Sequence, residues 1–198
     1  MNIVACIKRV PATETQPKIA PDGKGLDHGA VEYMLSFYDE IALEEAIRTK
    51  EAAGGEVTAL TLGPTDAAKE VRDCLARGAD KGMILVDPEW HARDARTTAK
   101  TLAAKLTELG ADLVFCGRQA TDRDNAAVGP MLATLLGWSC VTDVVELSID
   151  GTTATAKRES ERGIESFTLS LPAVITCQKG LNEPRYAGLK GIMAAKKK

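Results

Sequence analysis

The chain has 198 residues, 44% of them hydrophobic, which is enough for one packed core and predicts a single domain. Its 25 basic and 28 acidic residues give a formal net charge of −3, and the only basic run is the terminal Lys196, Lys197 and Lys198, so a nucleic acid partner is not expected. No apolar run approaches the roughly 18 residues of a membrane span, which predicts a cytoplasmic protein without membrane insertion.

Apolar runs of strand length alternate with segments of helical period over the first 137 residues. The predicted strands are 2–7, 56–62, 82–86 and 112–116, and the predicted helices are 39–53, 65–77, 92–109 and about 126–137. This alternation is typical of βαβ units, which build a parallel sheet with helices on both faces. We expect Gly54 and Gly55 to end the first helix, Thr65 to cap the start of the second, and Gly78 to end it.

After Trp138 the sequence alternates as β-strands do. Residues 139–177 predict an antiparallel extension with a tight turn at Asp150 and Gly151, and AVITC at 173–177 predicts one more parallel strand. The predicted fold class is therefore α/β, with a doubly wound, mainly parallel five-stranded sheet and an antiparallel β extension, over a domain of residues 1–177.

Two segments do not follow this pattern. Residues 8–38 are rich in proline and glycine and too long for a simple connection, and such excursions usually bind a ligand or fold over a neighbouring element. Residues 178–198 have no sustained period but carry apolar side chains without a core to join. We expect an extended tail there, which needs a partner chain or further sequence to cover it.

Neither a catalytic nor a metal-binding constellation stands out. The five cysteines are scattered, lie in or beside apolar runs and form no CxxC pair, so we interpret them as reduced core residues. His28 and His91 lie in loop or helix-start contexts, where a lone histidine is usually solvated.

The polar stretch GRQATDRDNAAVG at 117–129 follows a predicted strand and precedes a helix. In doubly wound sheets the carboxyl ends of the strands bind the ligand, and free N–H groups of a first helical turn suit a phosphate. The alternative is that Asp122, Asp124 and Asn125 only cap the helix and that Arg118 pairs with one of them. Since no GxGxxG or P-loop motif is present, the residues alone indicate an anion or a nucleotide and leave the alternative open.

Six segments, in order along the chain, carry a family resemblance. They read VACIKRVP, YDEIALEEAIRTKE, LTLGP, LARGADKGMIL, LVFCGRQATDRDNAAVGPMLATLLGW and LPAVITCQKGLNEPRYAGLKGIMAAKKK. Together they resemble the β subunit of electron-transfer flavoproteins over essentially the whole chain. The segment AKRESERGIESFTLSLPAVIT also resembles that family's signature, with Arg162 where Gly or Asp is usual.

The resemblance implies an adenine-nucleotide α-hydrolase-like fold and an obligate heterodimer with an α subunit that holds most of the FAD. It implies an electron carrier and not an enzyme. Electrons would come from dehydrogenases such as acyl-CoA dehydrogenase, and a quinone oxidoreductase is a candidate acceptor.

The resemblance also implies a nucleotide pocket in this chain, occupied by AMP. The implied contacts are Ala5, Ser36, Tyr38, Asp39, Leu62, Gly117, Arg118, Gln119, Ala120, Thr121, Asp122, Asp124, Asn125, Val128 and Gly129. Backbone N–H groups of the loop and Asn125 would hold phosphate and ribose, while Tyr38 would lie beside the flavin of the α subunit. For Tyr38 the alternative is a half-buried aromatic at the edge of the core.

Departures from the family pattern leave open whether AMP or FAD occupies the nucleotide pocket. Val128, Gly129 and Pro130 replace the Thr-Gly-Gln of ordinary members and resemble the electron-bifurcating branch. In that branch the β subunit holds a second FAD in place of AMP and oxidises NADH. Arg123, Asn125 and Ala127 in turn replace the Gly, Thr and Gln of that branch's pattern.

The tail resembles the family's recognition loop for partner dehydrogenases. Leu189 is the expected docking anchor, with Tyr186 and Ile192 beside it; the alternative is that Leu189 packs on its own subunit or on the α chain. Relatives usually continue past the final lysines into a C-terminal arm, so we expect either that this chain is a short form or that its C-terminal arm is absent here.

Overall fold

The computed structural model describes residues 1–197. The strands are β1 (Asn2–Cys6), β2 (Arg9–Pro11), β3 (Tyr33–Leu35), β4 (Glu56–Gly63), β5 (Lys81–Val86), β6 (Leu113–Gly117), β7 (Ser139–Asp150), β8 (Thr153–Ser160), β9 (Gly163–Ser170) and β10 (Ala173–Cys177). The helices are α1 (Phe37–Ala53), α2 (Ala68–Arg77), α3 (Ala95–Leu109), α4 (Val128–Leu136) and α5 (Leu189–Ala195).

Eight strands form one sheet in the order β5-β4-β1-β6-β10-β7-β8-β9. Neighbours from β5 to β7 are parallel, and β7, β8 and β9 are antiparallel. The predicted α/β fold with an antiparallel extension is confirmed. The parallel part has six strands and not five, because the first half of β7 pairs with β10 before the strand bends near Asp143 (φ 58°) to pair with β8.

Two layers of helices cover the parallel sheet. Residues of α1 and α2 pack with Ile3, Ala5 and Phe115 on one face, and residues of α3 and α4 pack with Val4 and Cys6 on the other. Because β1 has β4 on one side and β6 on the other, the strand order reverses between β1 and β6. The carboxyl ends of these two strands are where a doubly wound sheet opens a ligand crevice.

The four predicted helices of the parallel part are present, and α1 and α2 end at Gly54 and Gly78 as expected. The predicted cap at Thr65 is wrong, because a 3₁₀ turn precedes α2, whose N-cap is Ala67 without a side-chain hydrogen bond. At the hairpin Asp150 pairs with Thr153, so the turn is one residue further on than predicted, at Gly151 (φ 57°) and Thr152.

The excursion after β1 is tied down by a two-stranded ribbon. β2 and β3 pair antiparallel, with Val10 opposite Met34, and they close the long segment between them. Arg9 of β2 bonds Glu70 of α2 at 2.9 Å, and its guanidinium lies 4.3 Å from the Tyr33 ring centroid. The ribbon is therefore fixed beside the carboxyl edge of the sheet.

The tail differs from the expected extended chain at residues 189–195, which form α5. This helix packs on α2, and a Cβ at Gly191 would come 3.0 Å from the carbonyl carbon of Ala76, so only glycine permits the approach. The division between residues 1–177 and 178–198 stays a prediction, and Lys198 lies outside the described residues.

All five cysteines are free, and four of them are buried. Within residues 1–197 no helix has the length and apolar composition needed to cross a bilayer. The same residues contain no group of three or more His, Cys, Asp or Glu side chains placed to hold a metal ion.

Candidate functional site

A cavity of about 500 Å³ lies at the point where the strand order reverses. Its walls come from the ends of β1, β4 and β6, from the loop between β6 and α4, from the excursion that carries the β2–β3 ribbon, and from residues 90–102. This volume falls within the roughly 300–1,000 Å³ of small-molecule sites.

Most of the implied contact residues line this cavity. They are Asp39, Leu62, Gly117, Arg118, Gln119, Ala120, Thr121, Asp122, Asn125, Val128 and Gly129. Ala5 does not, because it faces α1 on the opposite side of the sheet, and its neighbour Cys6 lines the cavity instead. Successive side chains of a strand point to opposite faces, so these two neighbours cannot both face the cavity.

Ser36, behind the wall, and Asp39, which is part of it, hold the surrounding backbone in place. Ser36 is the N-cap of α1, yet its hydroxyl accepts the N–H of Thr121 at 3.3 Å and makes no capping bond. The Asp39 carboxylate accepts the N–H of Lys8 at 2.8 Å and of Gly117 at 3.0 Å, and so joins the ends of β1 and β6. Burial raises the pKa of Asp39 to about 7, although the two backbone hydrogen bonds oppose the shift.

Two glycines are required by close packing at the cavity wall. A Cβ on Gly117 would come 2.8 Å from the carbonyl carbon of Tyr38, and a Cβ on Gly129 would collide with the methyl group of Thr176. The loop between β6 and α4 therefore lies against the start of α1 and against β10 with no room for a side chain at these positions.

The backbone of the loop between β6 and α4 has the dihedral angles of an anion-binding turn. Asp124 and Ala126 have φ of 50° and 49°, and Ala127 follows in the right-handed region. Alternation of left- and right-handed residues forms a concave nest of N–H groups that binds anions. In the described chain the N–H groups of residues 125–128 have no protein acceptor, and Gln119 holds the turn by donating to Asp124 at 2.8 Å.

The charged residues of the wall are mainly cationic. The lining contains four basic residues and two acidic ones. The basic residues are Lys8, Arg93, Arg118 and Arg123, and the acidic residues are Asp39 and Asp122. Such a lining attracts an anionic ligand.

Comparison with known proteins adds an independent line of evidence. The family described as the electron transfer flavoprotein domain matches residues 25–198. The chain belongs to this family. It is 41% identical over 195 residues to the electron transfer flavoprotein subunit beta of Thermoanaerobacterium thermosaccharolyticum, covering 98% of this chain and 75% of the relative. It is 40% identical to that of Bacillus subtilis, covering all of this chain and 77% of the relative, and 41% identical to that of Mycobacterium tuberculosis, covering all of this chain and 76% of the relative.

The resemblance to electron transfer flavoprotein β subunits is thereby confirmed. Besides Ala5, three residues implied by it do not line the cavity, namely Ser36, Tyr38 and Asp124. Tyr38 is half-buried and packs edge-to-face on Phe37, with 5.3 Å between ring centroids. Phe37 is partly exposed, so this aromatic pair presents a surface at the start of α1.

The family resemblance did not point to an aromatic group at the far end of the cavity. His28, Tyr33, Trp90 and His91 come together there, with 4.8 Å between the two imidazole centroids and 6.1 Å between Tyr33 and Trp90. Both histidines are exposed, but they are not isolated, since His28 Nδ1 lies 2.5 Å from the Tyr33 hydroxyl. No local spacing reveals this group, because its members come from two segments, 28–33 and 90–91, that are far apart in the chain.

The three docking residues implied for the electron transfer flavoprotein family lie on the surface of the tail. Tyr186 is 92% exposed, Leu189 is 82% exposed and Ile192 is 39% exposed. Leu189 therefore does not pack on its own chain within the described residues.

Proposed function

We propose that this chain is the β subunit of a heterodimeric electron transfer flavoprotein and that its cavity binds AMP. The observation that carries the proposal is the cavity at the strand-order reversal, with a nest of free N–H groups and a cationic lining, in a chain of this family. The free cysteines suit a cytoplasmic protein.

The residues present fit a nucleotide. The N–H groups of Ala126 to Val128 would receive the phosphate, and Asn125 would bond the ribose. Leu62, Leu102 and Val128 give the cavity apolar surface against which an adenine can pack.

The redox chemistry belongs to FAD, which exchanges electrons when bound by the α subunit. Tyr38 and Phe37 at the start of α1 would offer this flavin an aromatic neighbour from the β subunit. Leu189, Tyr186 and Ile192 would dock the electron donors, dehydrogenases of the acyl-CoA dehydrogenase type, and a quinone oxidoreductase would accept the electrons.

A second candidate function is that of an electron-bifurcating β subunit, which holds a second FAD and oxidises NADH. It is favoured by one observation, the extension of the cavity beyond the loop to Tyr33 and Trp90, where a second ring system could stack.

Identification of the bound nucleotide tests both candidates. The heterodimer, co-expressed with an α subunit, is denatured and the released compounds are quantified by mass spectrometry. One AMP and one FAD per heterodimer supports the carrier, whereas two FAD supports the bifurcating subunit.

The site itself is tested by substitution at the cavity wall. Gly117→Val should empty the cavity, because no side chain fits beside Tyr38. Gly25→Val is the matched control, since nothing lies within 4 Å of a Cβ there. Full nucleotide content in Gly117→Val would contradict the proposed site.

A further inference from the structure

An ion pair crosses the cavity between Lys8 and Asp122. Lys8 follows β1, and Asp122 belongs to the loop after β6, so the pair spans the two sides of the strand-order reversal. The Lys8 ammonium donates to both carboxylate oxygens of Asp122 at 2.7 Å. The two side chains are 31% and 17% exposed, so the pair is only partly screened by water.

The other cations of the wall are bonded to groups outside the cavity lining or to backbone. Arg93 bonds Asp87 at 2.6 Å, and Arg118 pairs with Asp143 at 3.0 Å. Neither of these acids lines the cavity. Arg123 donates to backbone carbonyl groups of His91 and Arg93.

Lys8 is thus the cation of the described lining whose counter-charge also faces the cavity. Its backbone is held in place, because its N–H donates to Asp39 at 2.8 Å. The side chain is a flexible four-carbon arm with a compact charge, so its ammonium can move while the backbone stays fixed.

A phosphate bound in this cavity would change the electrostatic interactions of the Lys8–Asp122 ion pair. It would bring negative charge close to Asp122 in a partly enclosed space, where like charges repel more than in water. If the ammonium moved from the carboxylate to the phosphate, it would offset part of the phosphate charge, and Asp122, no longer held by Lys8, could turn away from the phosphate toward solvent.

We infer that Lys8 determines the specificity of this cavity for a phosphorylated nucleoside, by binding the phosphate, and that Asp122 competes with the phosphate for it. The inference rests on the proposed nucleotide site. The ion pair would then distinguish between two classes of ligand. A nucleoside without phosphate has no group that Lys8 can bind, whereas the phosphate of a nucleoside 5′-phosphate can replace Asp122 as the partner of Lys8.

Calorimetric titration of nucleotide-depleted heterodimer with AMP and with adenosine tests the inference. Lys8→Met should weaken AMP binding by about 10- to 100-fold and leave adenosine binding unchanged, since a partly buried charge contact to phosphate is lost. Asp122→Asn should tighten AMP binding about threefold or more, because the competitor of the phosphate is neutralised, and again leave adenosine unchanged.

Lys105→Met is the matched control. Lys105 bonds Glu108 at the same 2.7 Å but lies outside the cavity, so this variant should bind both probes like the wild type. Equal weakening of AMP and adenosine in Lys8→Met would show that Lys8 only supports the wall and would overturn the inference. Weakened AMP binding in Asp122→Asn would overturn it as well. If the wild type binds neither probe, the proposed nucleotide site fails together with the inference.

Discussion

Arg185 of the tail forms a two-point ion pair with Glu44 of α1. The guanidinium donates to the two carboxylate oxygens at 2.9 and 3.0 Å, and Glu44 is almost fully buried. Burial alone would raise the pKa of Glu44, but the hydrogen bonds from Arg185 outweigh it and lower the pKa. This ion pair therefore attaches the tail to the core immediately before the surface that carries Tyr186 and Leu189.

Removing this anchor should destabilise the protein. Arg185→Met leaves the buried carboxylate of Glu44 without its main partner, and we expect a loss of about 2–3 kcal/mol in the free energy of unfolding. The loss should shrink as pH falls, because a carboxyl whose pKa is lowered by folding contributes stability above its unfolded pKa and loses it as it protonates. Urea unfolding of the heterodimer at several pH values measures both effects.

The control for this prediction is Arg48→Met. Arg48 also bonds Glu44, at 3.0 Å, but it is exposed and one helical turn away, and such pairs contribute only about 0.3–0.5 kcal/mol. Equal losses in the two variants would contradict the role given to Arg185.

The buried Asp39 should make stability depend on pH in the opposite sense. Folding raises its pKa to about 7, so its ionisation opposes folding as pH rises from about 4 to 7. Asp39→Asn removes the titration. The stability of the wild type relative to this variant should therefore fall over that range, by up to about 4 kcal/mol.

Urea unfolding of both proteins across this range measures the difference. A wild type that gains stability over the variant with rising pH would show that Asp39 is ionised in the folded protein at low pH, contrary to the effect of its burial.

Leu189→Ala should slow electron transfer from the physiological dehydrogenase about 10- to 30-fold, because an exposed leucine that enters a pocket on a partner carries about 2 kcal/mol of an interface. The flavin spectrum and the heterodimer should be unchanged. Stopped-flow kinetics at limiting protein concentration is the measurement. Ile164→Ala is the control, since Ile164 is also exposed but lies on the edge strand β9. An unchanged rate, or loss of the heterodimer, would show that Leu189 is not the docking anchor.

The chain expressed without an α subunit should be poorly soluble. Tyr186, Leu189 and Met193 expose apolar surface on one segment, and such a patch promotes association when no partner covers it. Co-expression with an α subunit should restore solubility, as judged by size-exclusion chromatography. A stable, monodisperse monomer without any α subunit would contradict this dependence on a partner.

Much of the fold could be predicted because the signals are local. Strands buried on both faces appear as continuous apolar runs, helices with one buried side show the 3.6-residue period, and glycines such as Gly54 and Gly78 mark helix ends. The position of the loop between β6 and α4 followed from the same alternation, since a polar segment after a buried strand reaches the carboxyl edge of the sheet.

What only the tertiary structure decided depends on residues far apart in the chain. A strand that is apolar on both sides does not reveal which residues face which layer, and here Cys6 lines the cavity whereas Ala5, the expected contact, does not. Lys8 and Asp122 are 114 positions apart, and His28 meets His91 only after both loops fold over the sheet edge. Such pairings are set by strand order and by the packing of loops on the sheet, and a periodic pattern read along the chain contains neither.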